Sequence, residues 1–204
     1  MRKVYLIFSC CLLALAACNN GNTTNNSGNA DSTKAAATAA RESAHSKLSN
    51  AGTTLLMTVV TKYYALKNAL VATKAASADT TAMELVAATD SLQSFLQNNY
   101  SKDDTVTVYD KLHPYLDTIL TQSKQVSAVK DETCEKQRLA FGIVSSAVYG
   151  LLKNVDLKNA GIYHEYCPMA FNEKGAFWLS DDPDIKNPYF GKKMMECGEV
   201  MDSL

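Results

Sequence analysis

Between Leu55 and Val155, apolar residues recur at three- and four-residue steps in four separate segments, a spacing that admits little besides packed helices. In the first, Leu55, Leu56, Val59, Val60, Tyr63, Leu66 and Leu70 make one stripe. The second is expected over about residues 80–98, with Leu85, Ala88, Leu92, Phe95 and Leu96 on one face and Asp79 as its cap. The third carries Tyr109, Leu112, Leu116, Ile119 and Leu120, and Pro114 should either kink it or sit in its first turn. The fourth should open at Asp131, an N-cap residue, with Glu132 in the first turn where the helix dipole favours an acid. Its stripe is Leu139, Ile143, Val144, Ala147, Leu151, Leu152 and Val155. Four such helices with short connections pack most simply as an all-α, antiparallel four-helix bundle, here expected over residues 43–158 with Leu116 and Leu151 in its core.

The N-terminus constrains location instead of fold. Arg2 and Lys3 precede a short apolar run that ends in Leu15-Ala-Ala-Cys18. The run is too short to span a bilayer, which takes roughly 20 apolar residues, and reads as a signal peptide over residues 1–17. The site resembles the bacterial lipobox, in which the cysteine is acylated and becomes the new N-terminus. Cys18 is therefore the expected lipidation site, and Cys10 and Cys11 leave with the signal peptide. Asn19 stands where aspartate would mark inner-membrane retention, which favours the outer membrane facing the periplasm. Acyl chains hold firmly because each buried methylene adds roughly 0.8 kcal/mol. Residues 18–42 are rich in Asn, Thr, Ser, Gly and Ala and read as a lipidated, flexible tether.

Removing Arg2 and Lys3 from the 20 basic residues leaves 18 against 21 acidic ones, a net charge near −3. With no Lys/Arg cluster, that balance argues against nucleic acid and against contact with anionic lipid beyond the anchor itself. Some 155 residues remain for one compact domain with a real core.

Around Gly161 the pattern changes. Residues 162–171 are aromatic-rich and read as a strand, 172–175 have hairpin-turn composition, and 176–180 read as the returning strand. Asn187 followed by Pro188 predicts a short helix running to Cys197 and stopping at Gly198. Residues 159–204 are thus expected to form a Cys/Met-containing tail, a β-hairpin plus short helix, packed on the bundle.

Tyr166-Cys-Pro-Met-Ala170, Gly175-Ala-Phe-Trp-Leu-Ser180, Ile185-Lys-Asn-Pro-Tyr-Phe-Gly191 and Met194-x-x-Cys-Gly198 together resemble the signature of the domain-of-unknown-function family 3347. Ala65-Leu-Lys-Asn-Ala-Leu70 and Gln137-Arg-Leu-Ala-Phe141 extend the resemblance upstream, so that it spans about residues 48–200. That family occurs as stand-alone lipoproteins and fused to periplasmic adaptor subunits of heavy-metal efflux pumps. The resemblance implies copper or silver handling and an efflux adaptor or pump as partner. Cys134 and Met195 fall outside the pattern and are not assigned to the site.

The residues themselves suggest a soft-metal site. Cys167 and Met169 are two apart, so on a strand both face one way, and Pro168 favours an extended residue before it. Met194 and Cys197 are three apart, neighbours on a short helix. If that helix packs on the hairpin, Cys167, Met169, Met194 and Cys197 converge, and soft sulfur selects Cu(I), with Ag(I) as its mimic. His164 is an odd number of positions from Cys167 and should face away. The alternative is a non-catalytic interaction module in which Cys167 and Cys197 form a structural disulfide, as an oxidising envelope permits. No nucleophile elbow, zinc-protease pair, Cys-x-x-Cys or phosphate-binding glycine loop is present, so no enzymatic activity is expected.

Overall fold

The computed structural model describes residues 44–101 and 107–204; the expected signal peptide, tether and Cys18 lie outside the described residues. The four apolar stripes become four long helices: α1 (Asn50–Val71), α2 (Ala75–Tyr100), α3 (Val108–Ala128) and α4 (Glu135–Asn154). Each packs along the next in sequence, and Leu56, Leu66, Leu70, Leu85, Leu92, Leu96, Leu112, Leu116 and Leu151 are fully buried between them.

The helix ends depart from the expectations. Ser49 Oγ accepts from the Gly52 amide at 3.3 Å and starts α1. α2 begins at Ala75, five residues before the expected start, and Asp79 is not its cap. The Asp79 carboxylate instead accepts from Gln137 Nε2 at 2.7 Å and from Lys130 Nζ at 2.9 Å, tying α2 to the chain around the start of α4. α3 starts with a capping box: the Asp110 amide donates to Thr107 Oγ1, and the Asp110 carboxylate accepts from the Thr107 amide. Pro114 lies inside α3, beyond its first turn. α4 begins after Cys134, which has φ 61°, so neither Asp131 nor Glu132 occupies the expected place. Asp131 still serves the helix start, because its carboxylate accepts from the Thr133 and Lys136 amides.

Leu139 and Ile143 are the clearest misplacement. They are 56% and 49% exposed, while Arg138 and Phe141 point inward. The buried face of α4 is rotated toward Gln137, Arg138, Phe141, Val144 and Val148. The cause is Arg138, whose guanidinium donates to the carbonyls of Leu70 (3.0 Å), Thr133 (2.6 Å) and Pro188 (2.8 Å) and to Thr73 Oγ1 (2.9 Å). One side chain thereby joins the end of α1, the start of α4 and the tail.

The tail is a small antiparallel sheet of order β2-β1-β3, formed by β1 (Tyr163–Cys167), β2 (Ala176–Ser180) and β3 (Glu199–Ser203). The first two strands do pair antiparallel, with Tyr163 opposite Ser180 and Cys167 opposite Ala176. However, β1 ends at Cys167 instead of Phe171, and the connection is residues 168–175 instead of the expected tight turn at 172–175. The third strand is a correction to the two-strand hairpin. The predicted helix from Asn187 to Cys197 is a correction too, since only one 3-10 turn forms, Gly191–Lys193. Asn187 Oδ1 does accept from the Tyr189 and Phe190 amides as a helix cap would. Gly191 then adopts φ +55° and turns the chain away, wedged so tightly that a Cβ would lie 2.7 Å from Thr73 Oγ1 and 2.9 Å from the Arg138 guanidinium.

The outer edge of β2 is closed by two tyrosines. The Leu179 amide donates to Tyr63 Oη at 3.1 Å, and Tyr189 Oη donates to the Phe177 carbonyl. Burial pushes both phenols far above their usual range, so they stay protonated. Among the described residues no helix is long and apolar enough to cross a membrane.

Candidate functional site

Cys167 is the last residue of β1 and is fully buried. Pro168 ends the strand, and residues 168–175 form a loop with one irregular turn, α5 (Ala170–Glu173). Phe171, Asn172 and Glu173 there all have positive φ, at 54°, 58° and 63°. Three successive non-glycine residues in this region store backbone strain that only surrounding packing can hold. Phe171 supplies that packing, since its ring lies on Gly142 of α4 and meets Tyr189 edge-on.

Cys197 arrives from the other side. Its amide donates to the Met194 carbonyl at 3.2 Å, closing a turn over residues 194–197. Asn187, fully buried, holds that turn: its amide donates to Met195 O (2.8 Å) and its side-chain Nδ2 to Cys197 O (2.6 Å). Gly198 follows with φ +147°, where a Cβ would meet the Trp178 ring at 2.7 Å and Tyr166 O at 2.9 Å. This framework brings Cys197 Sγ to 2.7 Å from Cys167 Sγ. The neighbouring Cys167 thiol, with burial, pushes Cys197 up to about 11, while the Met169 amide facing it pulls the other way.

The two methionines are placed differently from the expectation. Met169 has αR geometry (φ −84°, ψ −10°), so it has left the strand and does not share the face of Cys167 by alternation. Its side chain is 47% exposed. Met194 caps the 3-10 turn with φ −149° and ψ 59°, so it and Cys197 are the ends of a turn instead of neighbours on a helix face. The two cysteines are in contact, and the thioethers adjoin them along the chain. Among the described residues there is no group of three or more His, Cys, Asp or Glu that could hold a metal ion. A soft ion held by the cysteines would thus stay two-coordinate or recruit thioether sulfur. Two thiolates on one ion stand roughly 4 Å apart when each bond is about 2.3 Å, so the pair would have to spread to accept it.

His164 turns away from Cys167, as its position in the strand predicts. Its ring is sandwiched between Tyr149 at 3.9 Å and Phe177 at 4.7 Å, and Nδ1 lies 3.2 Å from Asp202 Oδ1. Burial lowers its pKa, with Asp202 opposing. Cys134, buried at the start of α4, has Arg138, Asp131 and Asp79 as its charged neighbours.

A family profile described as a protein of unknown function (DUF3347) matches residues 59–160. The chain belongs to the DUF3347 family. The matched span covers the helices from within α1 onward and ends just before β1. No curated protein and no solved structure matches the chain.

A buried polar centre joins Lys67, inside the DUF3347 span, to residues of the tail beyond it. Lys67 of α1 is almost wholly buried, and its Nζ donates to Ser180 Oγ at 2.9 Å and stands 3.9 Å from Asp181. Glu165 of β1 is fully buried, and neither carboxylate oxygen has a hydrogen-bond partner within normal geometry. The Trp178 indole N–H lies near enough to favour the charged carboxylate but also falls outside that geometry. Burial raises Glu165 to about 7, against the pull of Lys67, and burial likewise lowers Lys67. The signal for Lys67 was present: it occupies a stripe position of α1, four residues after Tyr63 and three before Leu70. Nothing in the pattern of β1 marked Glu165.

Proposed function

We propose that this chain is a lipid-anchored envelope protein whose tail binds a soft metal ion, Cu(I) or Ag(I), as an accessory to copper handling or heavy-metal efflux, with an efflux adaptor or pump as its partner. In this reading residues 18–42 tether an antiparallel helical bundle to the outer membrane through lipid on Cys18. The observation behind the metal assignment is that the fold brings Cys167 Sγ and Cys197 Sγ together, 2.7 Å apart, with Met169 and Met194 close to them along the chain; holding an ion requires the pair to spread. Cys167 and Cys197 supply the thiolates, and Met169, 47% exposed, is the thioether open to solvent. A bound Cu(I) would need no redox change, since soft sulfur ligands stabilise that state. Among the described residues, His45 pairs with Lys158 just after α4, and Lys193 of the 3-10 turn approaches Glu135 at the start of α4.

The same contact favours a second reading, in which the pair is a disulfide and the tail is a non-catalytic interaction module. Alkylation and mass spectrometry on protein prepared without oxygen distinguish the two by showing whether the cysteines are bonded or free. Competition of the reduced protein with a Cu(I) chelator should then show binding. Apparent affinity should rise with pH below about 11, up to roughly tenfold per unit for each proton displaced, because Cys197 must lose its proton. Met169→Leu with Met194→Leu should weaken binding while costing under about 1.5 kcal/mol of stability, since the swaps nearly conserve volume. Failure to compete, or unchanged affinity in the double variant, removes the four-sulfur site. The anchor is checked by the mass of the mature N-terminal peptide, which should begin at an acylated Cys18.

A further inference from the structure

We infer that β3 is a strap, fastened to β1 or free to open according to the state of the Cys167–Cys197 pair; the inference uses the same two sulfurs as the proposed function but does not require that they bind metal. All five side chains of β3, from Glu199 to Ser203, are exposed, so it gains almost nothing from burial. β1, between its two neighbours, buries His164, Glu165 and Cys167, and β2 buries Trp178, Leu179 and Ser180. The ladder holding β3 is also interrupted. His164 pairs with Asp202 and Glu165 with Val200, which leaves Met201 as a bulge. A segment with exposed side chains and a broken ladder belongs to the low-stability end of a fold and opens locally.

Two anchors oppose that opening. At the C-terminal end the Leu204 amide donates to Ile162 O at 2.8 Å, and the Ile162 amide returns a bond at 3.2 Å. Asp202 is shared there between His164 Nδ1 at 3.2 Å and Tyr149 Oη at 3.3 Å. At the N-terminal end the chain enters β3 through Gly198, whose φ of +147° makes it a natural pivot against Trp178. Immediately before that pivot, Cys197 touches Cys167, the last residue of β1. The sulfur pair therefore sits at the root of the strap and joins it to the strand that it covers.

With free thiols this root is held to the rest of the tail by the Asn187 hydrogen bonds to Met195 O and Cys197 O, and to β1 only by the sulfur contact and the ladder. Oxidation replaces the S–H···S contact with a covalent bond. One cysteine thiolate attacks a disulfide donor, whose S–S bond breaks and releases one thiol. The second cysteine then attacks the mixed disulfide, the Cys167–Cys197 bond forms, and the second donor thiol leaves. The pair loses two protons and two electrons, and the donor disulfide takes them up. Once bonded, the root cannot separate from β1, and openings that peel β3 from that end are removed. A metal ion held by both thiolates would have the same effect.

Hydrogen exchange read by mass spectrometry tests this on the full-length mature protein in three states: phosphine-reduced, treated with oxidised glutathione, and reduced then loaded with silver nitrate. Bond formation is verified from the intact mass. Amides of Glu199–Ser203 should exchange roughly tenfold or more slowly after oxidation, with amides of α4 unchanged. Cys167→Ser with Cys197→Ser should exchange at the reduced rate whether or not glutathione disulfide is added. Equal exchange of β3 with and without the verified bond overturns the strap. So does a reduced β3 already as protected as β1, or slowing that extends equally to α4. Protection by oxidation without protection by silver upholds the strap and counts against the metal reading alone.

Discussion

The helical body and the tail fill their interiors with different kinds of side chain. Between the helices the buried side chains are mainly apolar and leucine is the commonest, with Leu56, Leu66, Leu85, Leu92, Leu116 and Leu151 all fully buried. In the tail and where it meets the helices, Tyr63, Lys67, Arg138, Glu165, Trp178, Asn187 and Tyr189 are all buried, and most of them act through a polar atom. Apolar packing is tolerant of direction, whereas a buried hydrogen bond is made or lost by a change of an ångström. The body therefore supplies stability, and the tail uses polar contacts to fix one arrangement around the cysteines.

The largest expected effect lies in the body. Leu151→Ala should cost roughly 2–5 kcal/mol, as a large-to-small change at a fully buried site. Chemical denaturation followed by far-UV circular dichroism reads the helices. Trp178, the only tryptophan, reads the tail by fluorescence. Both signals should shift together, because the tail rests on α4. A loss under about 0.5 kcal/mol would mean that this face of α4 is not core.

Next comes the joint. Arg138→Met keeps the apolar stem but removes the guanidinium donor from the carbonyls of Thr133 and Pro188, and leaves Leu70 O to the backbone amide of Thr73, at a cost of roughly 2–4 kcal/mol. Because one of those bonds reaches the tail, the tryptophan transition should move further than the helical one. Coincident shifts of equal size would show that body and tail unfold as one unit, and the contrast between them would lose its energetic meaning.

A pH titration isolates the tail's buried charge. Glu165 sits at about 7 in the fold against about 4.3 in an unfolded chain, so the folded state prefers the protonated acid. The unfolded chain binds fewer protons between these values, and stability falls as pH rises through that window. The contribution is complete below about pH 4, lost above about pH 7, and on the order of 3 kcal/mol. Glu165→Gln should flatten this slope. Lys67→Met should carry the loss to higher pH, because Lys67 favours the carboxylate. An unchanged slope in Glu165→Gln would assign the titration to another group.

This contrast also governs what could be read in the sequence. The three- and four-residue spacing located all four helices because apolar burial on a helix is periodic. Two antiparallel strands in this region were visible for a similar reason, as aromatic and apolar runs flank a glycine-containing turn, but their register was not, because β1 stops at Cys167 before Pro168 and not at Phe171. β3 was not visible, since a strand with every side chain exposed leaves no alternation to detect. The proximity of Cys167 and Cys197 followed from the expected packing of the tail, but the elements carrying their neighbours did not. Met169 left the strand after Pro168, and Gly191 ended the helix expected from Asn187. Lys67 and Glu165 were missed because a charged residue is assigned to solvent unless its partners across the fold are known.

The smallest expected effect returns to α4, where periodicity itself misled. Leu139 and Ile143 fit the apolar stripe by spacing, yet Arg138 and Phe141 take the inward direction and leave both half exposed. The helix turns about 100° per residue, so a charged side chain drawn inward by three carbonyls rotates its neighbours outward. Leu139→Gln and Ile143→Gln keep good helix formers and should each cost under about 0.5 kcal/mol, against roughly 2–5 kcal/mol for Leu151→Ala on the same helix. Denaturation of the two variants beside Leu151→Ala gives that ratio directly. A loss above about 2 kcal/mol at Leu139 or Ile143 would mean that the face is covered in solution. Repeating the measurement over a range of protein concentrations would then show whether the cover is a second copy of the chain, because stability would rise with concentration.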